Sequence, residues 1–527
     1  MISVKNNKSK ERKMKPELFN SLKNYKKSNL LNDLLAGLMV AIIALPLSIA
    51  LGIQSVPDFV SSHGIQFGII TAIVAGFFIS ALGGSKFQIG GPTAAFVVIL
   101  YSYIANPDIG LLGLALAGIM AGVILIIMAG LRAGSVMKFF PYPIVIGFTT
   151  GIGVTLLIGQ IKDLCGFESQ GTEAIEKIIS YIENIKTFDL ATFIVGLVGL
   201  ACVIVIPKIN KKIPSAFVAL ILCTIISLLL NNFASTEIVT IGSKYGQIEA
   251  GFFPIDFSSI GNVKFSALIV PAFVIAFLCA IESLLSATVA SGMTNTAFNS
   301  NQELFGQGIA NIFSSLLGGL PATGAIARTA AGIENGAKSP LTGVFHSIFV
   351  LIMYFALMGV MQYIPLCVFS AILISVAINM SRFKLFGKLS HFGIRDSIIL
   401  IATCALTIIF DLTYGVIGGV VITFIANIKS IKNGLKIETV ESEEKAVKLK
   451  GSAIFLNASK MTDYILGELE HTDKITLDIS ELNSIDETAL EKLAGLIKKA
   501  KIQQKELIIT GANEKIDLRM KKFLPIL

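Results

Sequence analysis

Long apolar runs broken by short polar stretches fill the chain from residue 34 to residue 430. Crossing a bilayer takes about 20 apolar residues in a helix, and the pattern predicts many such helices. Seven are expected in the first half, over 34–53, 65–82, 92–104, 110–130, 142–161, 189–206 and 215–231. Seven more are expected over 266–290, 304–318, 323–334, 341–360, 365–380, 397–411 and 413–430. The segments 92–104 and 323–334 are too short to cross.

Each short segment follows a stretch rich in small residues. Leu82, Gly83 and Gly84 lead to Gly90, Gly91, Pro92, Thr93, Ala94 and Ala95; Leu317, Gly318 and Gly319 lead to Pro321, Ala322, Thr323, Gly324 and Ala325. Seven is an odd number of segments, so the second repeat is expected to be inverted relative to the first. Short, Gly/Pro-interrupted segments at matching places in two halves point to the binding site of a transporter.

Past residue 430 the pattern changes. Residues 436–450 are charged, and 451–527 alternate strand-like and helix-like stretches. Strands are expected over Gly451–Ala458, Ile475–Ile479 and Leu507–Thr510, and helices over Lys460–Leu469, Glu487–Lys499 and Glu514–Phe523. That is a small α/β domain. The expected division is a basic arm (1–29), a first repeat (30–231), an extracytoplasmic connection (232–265), a second repeat (266–430), a linker (431–450) and the α/β domain (451–527).

Charge sharpens this picture. Only 15% of residues are charged, against about 25% in soluble chains. The net charge of +8 sits in arms and loops, so it describes topology rather than nucleic-acid binding. The loops 131–141, 207–214 and 381–396 carry Arg132, Lys138, Lys208, Lys211, Lys212, Arg382, Lys384, Lys388 and Arg395, whereas 54–64 and 162–188 carry none or are net acidic. Positive residues favour the cytoplasmic side, so both termini are expected inside, in a multi-pass inner-membrane protein. No cleavable signal is read in the basic arm. The six cysteines show no metal or redox spacing and read as small hydrophobes. No nucleophile–base pair, metal set or Walker A loop appears, which argues against an enzyme, a metal cofactor or an ATP-driven pump.

The chemistry lies in the two short segments. A helix N-terminus presents unpaired N–H groups and a positive dipole end. Gly90, Gly91 and Gly324 leave the backbone open, Thr93 and Thr323 add hydroxyls or caps, and Ala94 and Ala325 complete the candidate substrate-binding set. Two facing N-termini suit an anion. Each is worth about 0.3–2 kcal/mol, too little to strip a divalent anion of water, so a fixed cation, or an anion that stays partly hydrated, is expected. Arg328, one turn into the second short segment, supplies it. A central membrane Arg costs roughly 2.5–3.5 kcal/mol; the bland alternative is a purely structural Arg. Glu282 is the other intramembrane charge, with Ser283 and Ser286 beside it. A carboxylate in such a place readily carries a proton, so Glu282 is the candidate for coupling; the bland alternative is a static bridge to Arg328. Pro46 is expected to kink the first helix, and with Ser48 and Gln54 to line the cavity. Asp33 reads as an N-cap or interface residue, His346 as a hydrogen-bonded packing residue before a proton relay, and Asp411 as a helix end.

The stretches LLAGLMVAIIALPLSIA (34–50), FQIGGPTAAF (87–96), IESLLSATVASGMT (281–294), NSNQELFGQGIANIFSSLLGG (299–319) and PATGAIART (321–329) resemble the SulP anion permeases. The resemblance spans nearly the whole chain. It implies fourteen segments in two inverted repeats, with segments one to four and eight to eleven as a mobile core and the rest as a gate. It also implies elevator-like transport, a homodimer in the bilayer and an anion between the third and tenth segments. The stretch from Asp478 to Leu490 resembles the signature loop of a STAS domain, a site where a regulatory protein could bind. The resemblance puts Thr488 at the phosphorylated position of related domains, but Ala489 stands where those carry Gly; structural or contact roles for Thr488 are therefore weighed ahead of phosphorylation. Sulfate by proton symport is the first expectation, sodium-coupled bicarbonate uptake the second and chloride-linked exchange the third. No cofactor beyond a coupling proton or sodium ion is expected. Rival readings are a nucleobase carrier, which Arg328 disfavours, and a membrane sensor that signals through its STAS domain without transport.

Overall fold

The computed structural model describes residues 14–23, 25–134, 141–167, 171, 174–210, 213–234, 236–254, 256–294, 296–381, 383–387, 389–410, 412–440 and 446–523. Lys138, Lys211, Lys212, Arg382, Lys388 and Asp411 lie outside the described residues.

Each expected membrane segment is a helix. The first repeat holds α1 (Ser28–Ser55), α2 (Gly64–Leu82), α3 (Ala94–Ala105), α4 (Gly110–Gly130), α5 (Tyr142–Cys165), α6 (Leu190–Ile209) and α7 (Ser215–Phe233). The second holds α8 (Phe265–Thr294), α9 (Ser300–Leu316), α10 (Ile326–Glu334), α11 (Leu341–Met361), α12 (Leu366–Met380), α13 (Ile394–Ile409) and α14 (Leu412–Lys432). Among the described residues, nine helices are long and apolar enough to cross a bilayer. The short helices begin later than expected, at 94 rather than 92 and at 326 rather than 323. The residues before them pair instead as two tiny antiparallel strands, β1 (Gly90–Gly91) and β2 (Thr323–Gly324).

The chain forms two compact units, residues 1–135 with 156–376, and residues 136–155 with 377–527. In the first, helices meet where glycines remove side chains. A Cβ on Gly122 of α4 would lie 2.6 Å from the Gly308 carbonyl of α9, and one on Gly308 would lie 2.6 Å from the Gly122 carbonyl. A Cβ on Gly52 of α1 would lie 2.9 Å from the Cα of Gly68 in α2. Without a hydrophobic drive between helices in lipid, such close backbone packing is what holds a bundle.

The second unit carries the α/β domain. Its sheet runs β3 (Leu435–Val440), β4 (Ala446–Ala453), β5 (Lys474–Ile485), β6 (Glu506–Thr510), antiparallel at the first pair and parallel at the others. The helices are α15 (Ala458–His471), α16 (Glu487–Ile502) and α17 (Glu514–Phe523). The first expected strand, 451–458, is displaced. The sheet begins at Leu435, inside the stretch read as a linker, and β4 ends at Ala453. Charge hides these strands. Val447 and Leu449 point into the core, while Lys448 and Lys450 alternate outward and reach Glu481 and Glu438 across the sheet.

Within this unit the domain core continues into membrane-helix ends, through Ile146 of α5 and Leu400 of α13. Asp486 caps α16 by accepting from the Ala489 N–H at 2.8 Å. Burial lifts its carboxyl to about 6. Glu487, fully buried, accepts from the Gly393 N–H and, at 2.8 Å, from Arg519 Nη2, which also lies 3.4 Å from Asp396. The Thr488 hydroxyl accepts from the N–H of Tyr142, the first residue of α5, at 2.9 Å. Thr488 is thus a buried contact between domain and membrane helix.

Arg519→Ala leaves the Glu487 charge buried without its cation. It should destabilise the second unit by about 3 kcal/mol, measured by calorimetry of the whole chain in detergent. The double change Glu487→Gln with Arg519→Met should lose less than half of that.

Candidate functional site

The site is built around the β1–β2 crossing, with Gly90 opposite Gly324 and Gly91 opposite Thr323. Backbone this deep in a bundle must be satisfied by protein, and α9 does much of that. Glu303, fully buried in its first turn, accepts from the Gly84 N–H at 2.9 Å, the Ser85 N–H at 3.0 Å and Gln307 Nε2 at 2.9 Å. Gln302 Nε2 donates to the Leu82 carbonyl at 2.6 Å. Two turns on, Asn311 donates to the Ala322 carbonyl and accepts from the Ala322 N–H, both at 2.9 Å. The stripe Glu303, Gln307 and Asn311, spaced by four residues, therefore serves the loop ahead of each short helix. Asp33 of α1 holds the connection between α10 and α11. It accepts from the Lys338 N–H at 2.6 Å, the Ser339 N–H at 3.0 Å, the Ser339 hydroxyl at 2.7 Å and the Thr342 hydroxyl at 2.8 Å. Asp33 is thus the interface residue that was expected, and it caps the approach to α11 rather than its own helix.

Arg328 lies 1% exposed at the crossing. Its Nη1 donates to the Gly90 carbonyl at 3.0 Å, and its Nη2 to the Ser48 hydroxyl at 3.0 Å and the Pro92 carbonyl at 3.4 Å. Gly91 has φ +152°, and a Cβ there would overlap the guanidinium. A Cβ on Gly324 would likewise overlap the Gln88 amide, which donates to the Ser283 carbonyl at 3.0 Å. Both glycines are demanded by close approach.

Arg328 and Glu282 are not bonded to each other, so the static bridge considered from sequence is absent. Glu282 accepts instead from the Thr93 hydroxyl at 2.9 Å. The Thr323 hydroxyl is committed to the Cys279 carbonyl at 3.1 Å. Ser286 reaches Thr329 at 3.4 Å, and Thr329 in turn accepts from the Ile89 N–H at 3.1 Å. What stays open toward solvent is a shallow lining. Thr93, Ala94, Ala95 and Ala325 are each 6–7% exposed and Glu282 is half-buried. The first N–H groups of α3 and α10 lie there, with no intrahelical acceptor.

The structure therefore gathers Gly90, Gly91, Thr93, Ala94, Thr323, Gly324, Ala325, Arg328, Glu282, Ser283 and Ser286 around one crossing. Ser48 joins them through Arg328. Pro46 is buried within α1, and Gln54 sits at its end, donating to Asp163 at 3.0 Å. His346 is fully buried, and its ring nitrogens have no partner among the described residues, so the hydrogen-bonded packing role is not met. Sequence reasoning missed Glu303, Asn311 and Gln88. The signal for Glu303 and Asn311 is an excess of polar residues in a segment that otherwise reads as a spanning helix; Gln88 lies in the stretch between α2 and β1 and carries none.

Residues 30–403 match the sulfate permease family, and residues 436–523 match the STAS domain. YvdB of Bacillus subtilis, provisionally named a sulfate transporter, is 34% identical over 93% of each chain. The bicarbonate transporter BicA of Synechocystis is 30% identical over 94% of this chain and 90% of its own. The solved transmembrane domain of a cyanobacterial BicA superposes with TM-score 0.67 at 29% identity, covering 74% of this chain and 98% of that one. Murine Slc26a9, solved in an inward-facing state, superposes with TM-score 0.69 at 18% identity over 98% and 91% of the two chains, a likeness of fold alone.

Gly91→Ala should displace the Arg328 guanidinium from the Gly90 and Pro92 carbonyls. Anion affinity, measured by ligand-induced thermal shift on the purified chain, is expected to fall by more than about tenfold, or ~1.4 kcal/mol, while the helical circular dichroism stays unchanged.

Proposed function

The chain belongs to the sulfate permease family, and on that premise we propose that it is a secondary active transporter bringing a small oxyanion, sulfate first, into the cell in symport with protons. The observation that carries this reading is the crossing itself. Two half-helix N-termini converge beside Arg328, whose partners are a hydroxyl and two carbonyls, and no carboxylate within salt-bridge distance is found among the described residues. The crossing therefore keeps a net positive field for an anion.

Glu282 supplies the coupling. Its carboxylate is bonded to Thr93, next to the opening N–H groups of α3. An ionised Glu282 about 5 Å from an anion repels it by roughly 3 kcal/mol per charge at an effective dielectric of ~20. Protonation removes that repulsion, so proton and anion favour each other's binding. The cell needs such coupling. Moving a dianion into an interior at about −100 mV costs roughly 4.6 kcal/mol, and accompanying protons cancel the charge. In this reading α1–α4 and α8–α11 carry the anion as a moving core, both termini are cytoplasmic and the protein works as a homodimer. A sodium-coupled bicarbonate transporter is the second reading. It is favoured by the 30% identity to BicA and by the carboxylate and hydroxyls of Glu282, Thr93 and Ser286, which are hard oxygen ligands suited to a small cation.

Uptake of labelled sulfate, bicarbonate and succinate into proteoliposomes, each under an inward proton or sodium gradient, separates these readings. Proton-driven sulfate uptake is expected. Sodium-driven bicarbonate uptake would replace the first reading by the second, and anion binding without flux would leave only the sensor. Glu282→Gln should abolish the dependence of uptake on the pH gradient and hold anion affinity, at every pH, within about threefold of that of the parent chain at acid pH. Proton movement that persists with substrate in this variant removes Glu282 from the coupling step.

A further inference from the structure

We propose that a set of polar contacts at the 54–64 end of the first unit is a latch, closing the approach from that side to the two half-helix N-termini. The proposal rests on the alternating-access reading above, but its residues lie outside the site.

The contacts join two groups of elements. On one side stand Gln54 at the end of α1, Asp58 in the connection to α2, and Tyr101 on α3. On the other stand Asp163 at the end of α5, Lys177 on the short helix Ala174–Glu183, and Lys244 and Tyr245 on the short helix Ile241–Tyr245. Gln54 Nε2 donates to Asp163 at 3.0 Å. Lys244 Nζ lies 2.6 Å from Asp58, and the Tyr245 hydroxyl donates to Asp58 at 2.8 Å. Lys177 Nζ lies 5.0 Å above the centre of the Tyr101 ring. These four contacts cross between the two groups and join residues 76 to 187 positions apart in the chain; within the second group Lys244 Nζ also lies 5.2 Å from the centre of the Tyr245 ring.

Position on α3 gives the contacts their meaning. Tyr101 lies seven residues after Ala94, almost two full turns, so both face the same way about 10 Å apart. Val98, Tyr101, Ser102 and Ala105 are partly exposed, while Ile99, Leu100, Tyr103 and Ile104 are buried. This stripe is the one open face of α3, and it runs from the anion lining to the ring under Lys177. An anion arriving from this end must pass where the ammonium rests on the ring. Burial pushes the Lys177 ammonium below the usual lysine range, helped by Lys162 and opposed by Asp163 and Glu176. The Lys244–Asp58 pair is partly exposed, and each contact is weak by itself. A set of weak contacts can part and re-form every cycle, which a buried network could not do.

The test reads accessibility and needs no knowledge of the substrate. A cysteine is placed at Val98, behind Tyr101, and labelled by a membrane-impermeant maleimide added to one face of sealed vesicles. Phe59→Cys, at a position 73% exposed, identifies the face, and the parent chain with its six free native cysteines is the blank. Labelling from the Phe59 face should be slow in the intact latch. It should quicken about three- to tenfold with Lys177→Gln, Tyr101→Leu or Asp58→Asn. Tyr101→Phe, which keeps the ring, should stay slow, and exchanging the charges with Asp58→Lys and Lys244→Asp should restore most of the protection. An unchanged labelling rate in Asp58→Asn with Lys177→Gln overturns the latch. Uptake measured on the same vesicles shows separately whether the transport reading stands.

Discussion

The guanidinium of Arg328 is the interaction on which the first unit depends. It binds the Gly90 and Pro92 carbonyls and the Ser48 hydroxyl, and so ties the start of one half-helix to α1 from a position on the other half-helix. A buried arginine that meets carbonyls rather than a carboxylate keeps its charge uncancelled. It costs solvation and returns two things, closure of a backbone crossing that no helix could satisfy, and a positive field at the point where two helix dipoles already converge. The glycines are a consequence, since Gly91 has no room for a Cβ while the guanidinium is in place.

Around that point the two repeats hold each other. Glu303 of the second repeat binds the loop leading into α3, and Asp33 of the first binds the connection leaving α10. Each carboxylate collects backbone N–H groups instead of a cation, which suits loops that must stay ordered in a bundle without water. Glu282 differs from both. It is half-buried and accepts from the Thr93 hydroxyl beside the crossing. Glu303 and Asp33 are thus clamps on backbone, whereas Glu282 meets a side chain at the start of α3.

The second unit obeys the same rule at its α/β domain. The turn from Asp486 to Thr488 commits its side chains to capping α16, to Arg519 and Gly393, and to the first N–H of α5. A signature loop that would be a free surface in a lone domain is here a joint, and Thr488 acts in it as a hydroxyl acceptor.

Hydropathy alone determined the number and order of the membrane helices, because the lack of water in a bilayer forces long apolar runs into helices whatever their neighbours. The paired Gly/Pro breaks before α3 and α10, and the isolated Arg328 and Glu282, were legible for the same reason: a charge or an interruption in such a run is costly and stands out. Less was legible wherever a residue's meaning depends on what faces it. The periodicity of Val447 and Leu449 was masked by the lysines between them, so β3 and β4 emerged only with their partners. Glu303 and Asn311 looked like polar blemishes in a helix until the loops they satisfy were brought against them. Whether Arg328 and Glu282 pair with each other stayed open in sequence until the fold gave each a different partner. Sequence sets which groups must find a partner, because burial without one is expensive; only the tertiary structure decides which partner each finds, because that is a matter of distance between segments far apart in the chain.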